Sequence, residues 1–96
     1  MPYIEQEDRE HLKNVLDTFL TGISWLHGAG YLNYIITRIL VMWLGSNPNY
    51  AKYNEVIGVL ECAKLEIYRR QISVYEDKKC SENGDVYNKE ERNFPV

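Results

Sequence analysis

Lys64, Tyr68, Arg69 and Arg70 fall within two helical turns of one another, and Tyr34 and Arg38 form a second basic and aromatic pair one turn apart. An arginine guanidinium is a planar fork that matches phosphate or carboxylate, and a tyrosine offers a stacking face with a hydroxyl at its rim. Together they suit an anionic ligand that carries a flat ring, as a nucleotide does. Asn33 and Thr37 put an amide and a hydroxyl beside the Tyr34–Arg38 pair, and Tyr75 adds a ring beyond Arg70. The candidate ligand-binding set is therefore Asn33, Tyr34, Thr37, Arg38, Lys64, Tyr68, Arg69, Arg70 and Tyr75. The competing reading is internal neutralisation. Glu61, Glu66 and Asp77 stand close enough to pair with these bases, and the stem of Lys64 can cover apolar area.

No other residues assemble into a catalytic set. Cys62 as a nucleophile needs His11 or His27 as its base, and a cysteine on this helix fits better as a packed, inert residue. Glu61 and Glu66 point in different directions. Glu76, Asp77, Glu82 and Asp85 gather in the sequence without the order of a calcium loop, so they fit solvated helix-end charge. His11 and His27 have no ligand spacing to each other or to a cysteine. The expectation is a protein that is not an enzyme and carries no cofactor and no metal.

Helices must place these residues. Leu12, Val15, Leu16, Phe19, Ile23 and Leu26 follow the i, i+3, i+4, i+7 rule, which predicts a first helix over residues 6–26. Glu5, Glu7, Asp8 and Glu10 crowd its first turns, where the macrodipole favours negative charge, and His27-Gly28-Ala29-Gly30 ends it. From Tyr31 to Leu44 apolar residues cover nearly the whole circumference, which predicts a buried second helix. Its polar residues pair at i and i+4, Asn33 with Thr37 and Tyr34 with Arg38. Asn47 as a cap before Pro48 starts the third helix, which runs to at least Arg70 and, uninterrupted, to Cys80. Tyr53, Val56, Ile57, Leu60, Ala63, Ile67, Val74 and Tyr75 form one stripe on it. Val59, Cys62, Leu65 and Ile72 fall outside that stripe, so this helix has two apolar surfaces. Gly58 in its middle suits a close helix crossing. Asn83-Gly84-Asp85 is a turn signal. The domain plan is one helical domain over residues 1–87 and a disordered tail over 88–96.

A chain of 96 residues folds alone with little margin. Its net charge of −3 lacks the dense field of Lys and Arg that nucleic-acid capture needs, and Glu55, Glu61 and Glu66 would repel a phosphate backbone from the third helix. The start is acidic and carries no secretory signal pattern. The stretch from Leu32 to Leu44 holds Asn33, Thr37 and Arg38 and is too short to span a bilayer. Two cysteines without metal or redox spacing fit reduced thiols in the cytoplasm. At 1.5 Å per residue the first helix is about 30 Å long and the third, continued to Cys80, about 50 Å. Two shorter helices cannot cover both surfaces of the long one, so copies of the chain are the economical cover. The expected fold class is all-α, a three-helix domain with a long third helix, either continuous or bent near Ser73, and homo-oligomeric.

Three blocks and two shorter ones add a resemblance. They are Met1-Pro2-Tyr3-Ile4; Leu32-Asn33-Tyr34 with Ile36-Thr37-Arg38; and the run from Ile57 to Glu66 with Tyr68-Arg69-Arg70. Tyr75-Glu76-Asp77-Lys78-Lys79 and Glu82-Asn83-Gly84-Asp85-Val86-Tyr87 follow. Over residues 1–87 the chain resembles a small uncharacterised family found in bacteriophages and in bacterial genomes that carry them. The resemblance implies a phage-type protein in the cytoplasm of a bacterial host. The family pattern has a proline before the Tyr-Glu-Asp block, where this chain has Val74. A proline there ends a helix, so the resemblance implies a bend near Ser73 in the shared fold.

The function that these readings favour is stoichiometric binding. By analogy with small phage proteins that soak up signals, the expected ligand is a cyclic nucleotide or an ADP-ribose-type molecule of bacterial antiviral defence. It would be sequestered at the interfaces between copies, with no membrane and no nucleic acid as partner. The alternative is a protein–protein module that acts on a host or phage protein through the surplus apolar surface of the third helix.

Overall fold

The computed structural model describes residues 2–92. The first helix, α1 (Gln6–Gly22), begins where acidic side chains meet unpaired amides. Glu7 and Asp8 sit in its first turn, at the positive end of the dipole. Arg9 Nε donates to Ile4 O at 2.9 Å and ties the entering chain to that turn. The helix stops at Gly22, short of the predicted Leu26, for a local reason. The Ser24 hydroxyl donates to Thr21 O at 2.8 Å, and the Ser24 and Leu26 amides each bond three residues back, which winds the chain into tighter turns.

Gly28, at φ 88°, turns the chain into α2 (Ala29–Leu44), and Gly45, at φ 76°, turns it out. Glycine adopts this left-handed conformation without a steric penalty. The next helix, α3 (Tyr50–Ile67), is capped by Asn49 and not by Asn47. Asn49 Oδ1 accepts the Lys52 amide at 2.9 Å, so Pro48 lies before the cap instead of inside the helix. Lys52 Nζ also donates to Trp43 O at 3.3 Å and lies 4.9 Å from the centre of the Trp43 ring. One side chain thus ties the end of α2 to the start of α3.

Near Ser73, where the family pattern implies a bend, the helix takes up an extra residue and continues. α3 passes into a π-helical turn (Tyr68–Ile72) and then into α4 (Ser73–Asn83), so the third helix is a run of 34 residues. The Ser73 amide reaches back to Tyr68 O, and the Arg69 carbonyl loses the donor that an α-helix would give it. The Ser73 hydroxyl replaces that donor at 3.0 Å. Val74 keeps the amide that a proline lacks. Gly84, at φ 93°, ends α4, and the Tyr87 amide bonds Asp85 Oδ1 at 2.9 Å. Asn88 and Glu91 cap each other through reciprocal amide-to-side-chain bonds of 2.9 and 3.0 Å. Of the tail expected to be disordered, residues 88–92 form this capped turn, and 93–96 lie outside the described residues.

The structure is all-helical, with 74% of it in helix. By Cα proximity the chain divides into two units, Met1–Leu60 and Glu61–Val96. Val56, 8% exposed, is the one buried side chain among the described residues. The expectation that α2 is buried is therefore corrected. Ile35, Leu40 and Leu44 are half-buried and the rest of α2 is exposed. The α1 stripe of Leu12, Val15, Leu16 and Phe19 is likewise open to water. In the second unit Leu65, Ile67, Ile72 and Val74 are exposed as well.

The total surface measures this openness. The chain exposes 9002 Å², whereas two separate compact units of these lengths would expose about 6,900 Å². The surplus exceeds about 1,500 Å² per chain, and the exposed side chains just named place much of it on apolar groups.

Candidate functional site

The predicted site residues fall into two groups, one on α2 in the first unit and one around the π turn in the second. Each stands by itself.

On α2 the predicted i, i+4 pair forms: the Thr37 hydroxyl donates to Asn33 Oδ1 at 3.2 Å. Asn33, Tyr34 and Thr37 line a shallow groove floored by Ala29 and Gly30. Tyr34 also lines a second, aromatic cleft of about 560 Å³ with Trp25, Leu26, Gly30, Tyr31 and Ile35. Trp25 meets Tyr31 edge to face, with centroids 6.1 Å apart and planes at 74°, a favoured geometry for aromatic pairs. The His27 ring lies 5.2 Å from the Tyr31 ring, tilted by 35°. Gly30 keeps this wall low, and a Cβ built on it meets no atom within 4 Å. Arg38 lies one turn beyond Tyr34 on the same face of α2. Among the described residues Arg38 makes no ion pair and no hydrogen bond. Aromatic faces and an unpaired guanidinium thus share one side of one helix.

The sequence reading missed Trp25 and Tyr31. Its signal was two large aromatics on either side of a His-Gly-Ala-Gly turn, a spacing that brings them together only once Gly28 adopts its positive φ.

Around the π turn the bases meet carboxylates of their own helix. Lys64 Nζ lies 3.0 Å from Glu61 Oε1. One Arg69 nitrogen donates to both oxygens of Glu66, at 3.1 and 3.2 Å. The Tyr68 hydroxyl donates to Glu76 Oε2 at 3.1 Å. That bond and the charge of Glu76 push the Tyr68 hydroxyl above its ordinary pKa, with smaller contributions from burial and from Asp77. Tyr75 lies 5.5 Å beneath Lys79 Nζ, and Lys79 in turn pairs with Glu82 at 3.3 Å. Arg70 makes no ion pair and no hydrogen bond among the described residues. Glu61 and Glu66 take up the neutralising role foreseen for them, whereas the contact at Tyr68 comes from Glu76. The pairs are exposed and weak, but they use up charge that an anion would otherwise meet.

Cys62 and Cys80 are free thiols at the surface, so the packed position expected for Cys62 is not found. Among the described residues no three His, Cys, Asp or Glu side chains gather as a metal site. No helix among them is long and apolar enough to cross a membrane.

The model of one protein family matches residues 1–86, and its description is Domain of unknown function (DUF6899). No curated protein and no solved structure matches the chain.

Proposed function

The chain belongs to the DUF6899 family, and we propose that it is a non-catalytic binding protein which works as an oligomer of identical chains and holds a nucleotide-like anion on the Tyr34–Arg38 face of α2. The observation that carries this reading is the pairing of an aromatic cleft, lined by Trp25, Tyr31 and Tyr34, with the unpaired Arg38 one turn away. A base or other flat ring gains stacking area in the cleft, and a phosphate gains a charge-assisted contact with the guanidinium. Lys64, Tyr68 and Arg69 enter less directly, since their own carboxylates already engage them. Arg70 remains a second cation for the same ligand class. A cyclic nucleotide or an ADP-ribose-type molecule fits this chemistry. The resemblance to phage-borne proteins gives the setting, which is sequestration of a signal used in bacterial antiviral defence.

The test is a thermal-shift panel of cyclic nucleotides and ADP-ribose derivatives at about 1 mM. A ligand present at a hundredfold its Kd stabilises the folded chain by about 2.7 kcal/mol, which a melting curve resolves. The expected result is a shift with one ligand class that is lost in Tyr34→Ala and Arg38→Ala. The reading fails if no compound moves the melting temperature, or if both variants keep the whole shift.

The surplus apolar surface supports a second reading, a module that binds a host or phage protein. Affinity capture from infected cells separates the two. One stoichiometric protein partner without a bound small molecule favours the module.

A further inference from the structure

α2 carries one charged residue, Arg38, and its aromatic binding face lies on that side. At 100° per residue, Leu32, Ile36, Ile39 and Trp43 fall within a stripe about 60° wide, whose middle is about 130° round from Arg38. All four are exposed, at 52%, 38%, 44% and 56%. Their spacing of four, three and four residues is that of the a and d positions of paired helices, where knobs from each helix fill holes in the other.

We propose that this stripe is the seam by which two copies of the chain join, α2 lying antiparallel against α2 of the second copy. The proposal rests on the oligomeric part of the function proposed above and specifies its contact surface. Three observations choose a second copy as the occupant. The first is symmetry. The spacing reads the same in both directions, so a two-fold axis through the middle of the helix sets Leu32 against Trp43 and Ile36 against Ile39 of the other copy. An isologous contact of this kind buries one patch on both partners. The second is charge. The stripe carries none, Arg38 points away from it on each copy, and antiparallel packing opposes the two helix dipoles favourably. A lipid surface is a poorer occupant, because a single cation on this helix and a net charge of −3 offer little to anionic headgroups. The third is area. A standard interface buries about 800 Å² on each partner, and the chain has a surplus of more than about 1,500 Å². Pairing through this stripe leaves Tyr31, Tyr34 and Arg38 on the outer side of each α2, open to a ligand.

The test uses the full chain with Cys62→Ser and Cys80→Ser as the background. One preparation carries Leu32→Cys and another Trp43→Cys. Mixed under unfolding and refolding conditions and then oxidised, they should form a disulfide-linked heterodimer, while each alone forms much less linked dimer. Separately, Ile39→Glu should weaken self-association at least about a hundredfold, since each dimer would bury two unpaired carboxylates. Met42→Glu, with the same charge on the Arg38 side, should leave association unchanged. Circular dichroism reports whether either variant has lost its helices, and if Ile39→Glu has, the cross-link decides alone. A wild-type oligomer in sedimentation, together with no cross-linked heterodimer between Leu32→Cys and Trp43→Cys, overturns the seam and leaves the oligomeric reading standing. A wild-type monomer overturns both, and so does a monomer that floats with phosphatidylserine vesicles.

Discussion

At Tyr68 one hydrogen bond decides when a side chain ionises. Its hydroxyl donates to a carboxylate oxygen of Glu76, a bond that the phenolate cannot make and that the negative charge reinforces. The proton is therefore held above the ordinary tyrosine value of 10.0. By linkage, a raised folded-state value adds stability that is fully present below the unfolded value and lost as pH climbs through the folded one. Tyrosinate absorbance of the wild type should thus show a late step from Tyr68. Glu76→Ala removes both bond and charge, and Glu76→Gln removes the charge but keeps an acceptor, so the late step should move down in both and further in Ala. Superimposable titrations of wild type and Glu76→Ala would dismiss the bond. Arg38 stands in the opposite situation. The basic cluster of the third helix looked richest in the sequence, yet its bases have carboxylates three residues or so away, as helical spacing provides. Arg38 has no carboxylate anywhere on its helix.

Among the elements, the start of α3 shows what pattern can and cannot place. Asn47, Pro48 and Asn49 give two candidate caps in three residues, and the usual preference for proline at the first helical position selects Asn47. The structure selects Asn49, whose side chain reaches the Lys52 amide. Asn49→Ala should therefore cost about 1 kcal/mol and Asn47→Ala much less, measured by urea unfolding of each variant. Equal costs would mean that Asn49 is no cap. The second helix was legible because its apolar run is too long for a strand and ends at a glycine. The third was legible up to Arg70 from its two stripes. The π turn was not, because nothing in Tyr68–Ile72 names a wide turn. Only the hydroxyl at Ser73 hints that a displaced carbonyl can be satisfied. The α1 terminus was misjudged because apolar periodicity continues through Ile23 and Leu26 after the Thr21–Ser24 hydrogen bond has closed the helix. Of the candidate site, the Tyr34–Arg38 and Asn33–Thr37 spacings could be read directly. The aromatic cleft depends on a turn geometry that spacing does not encode.

For the whole molecule the decisive quantity is how little of it is enclosed. A small domain is stable because burial outweighs the entropy of ordering the chain, and the margin is a few kcal/mol. Among the described residues one side chain, Val56, is buried. Isolated helices of this length are marginal in water; in the oligomer proposed above, further burial comes from association, and folding and assembly become one equilibrium. Such an equilibrium depends on concentration. For a dimer that dissociates as it unfolds, a tenfold rise in protein adds about 1.4 kcal/mol to the stability of each dimer. For a folding unit of that size this corresponds to a rise in melting temperature of about 3–5 °C. Circular dichroism melts at two concentrations tenfold apart give a direct reading. A midpoint that climbs, together with loss of helix upon dilution, is the expected outcome. A midpoint that stays put would show that a single chain encloses enough apolar surface by itself, and the exposed stripes on α1, α2 and α3 would then need some explanation other than a partner copy.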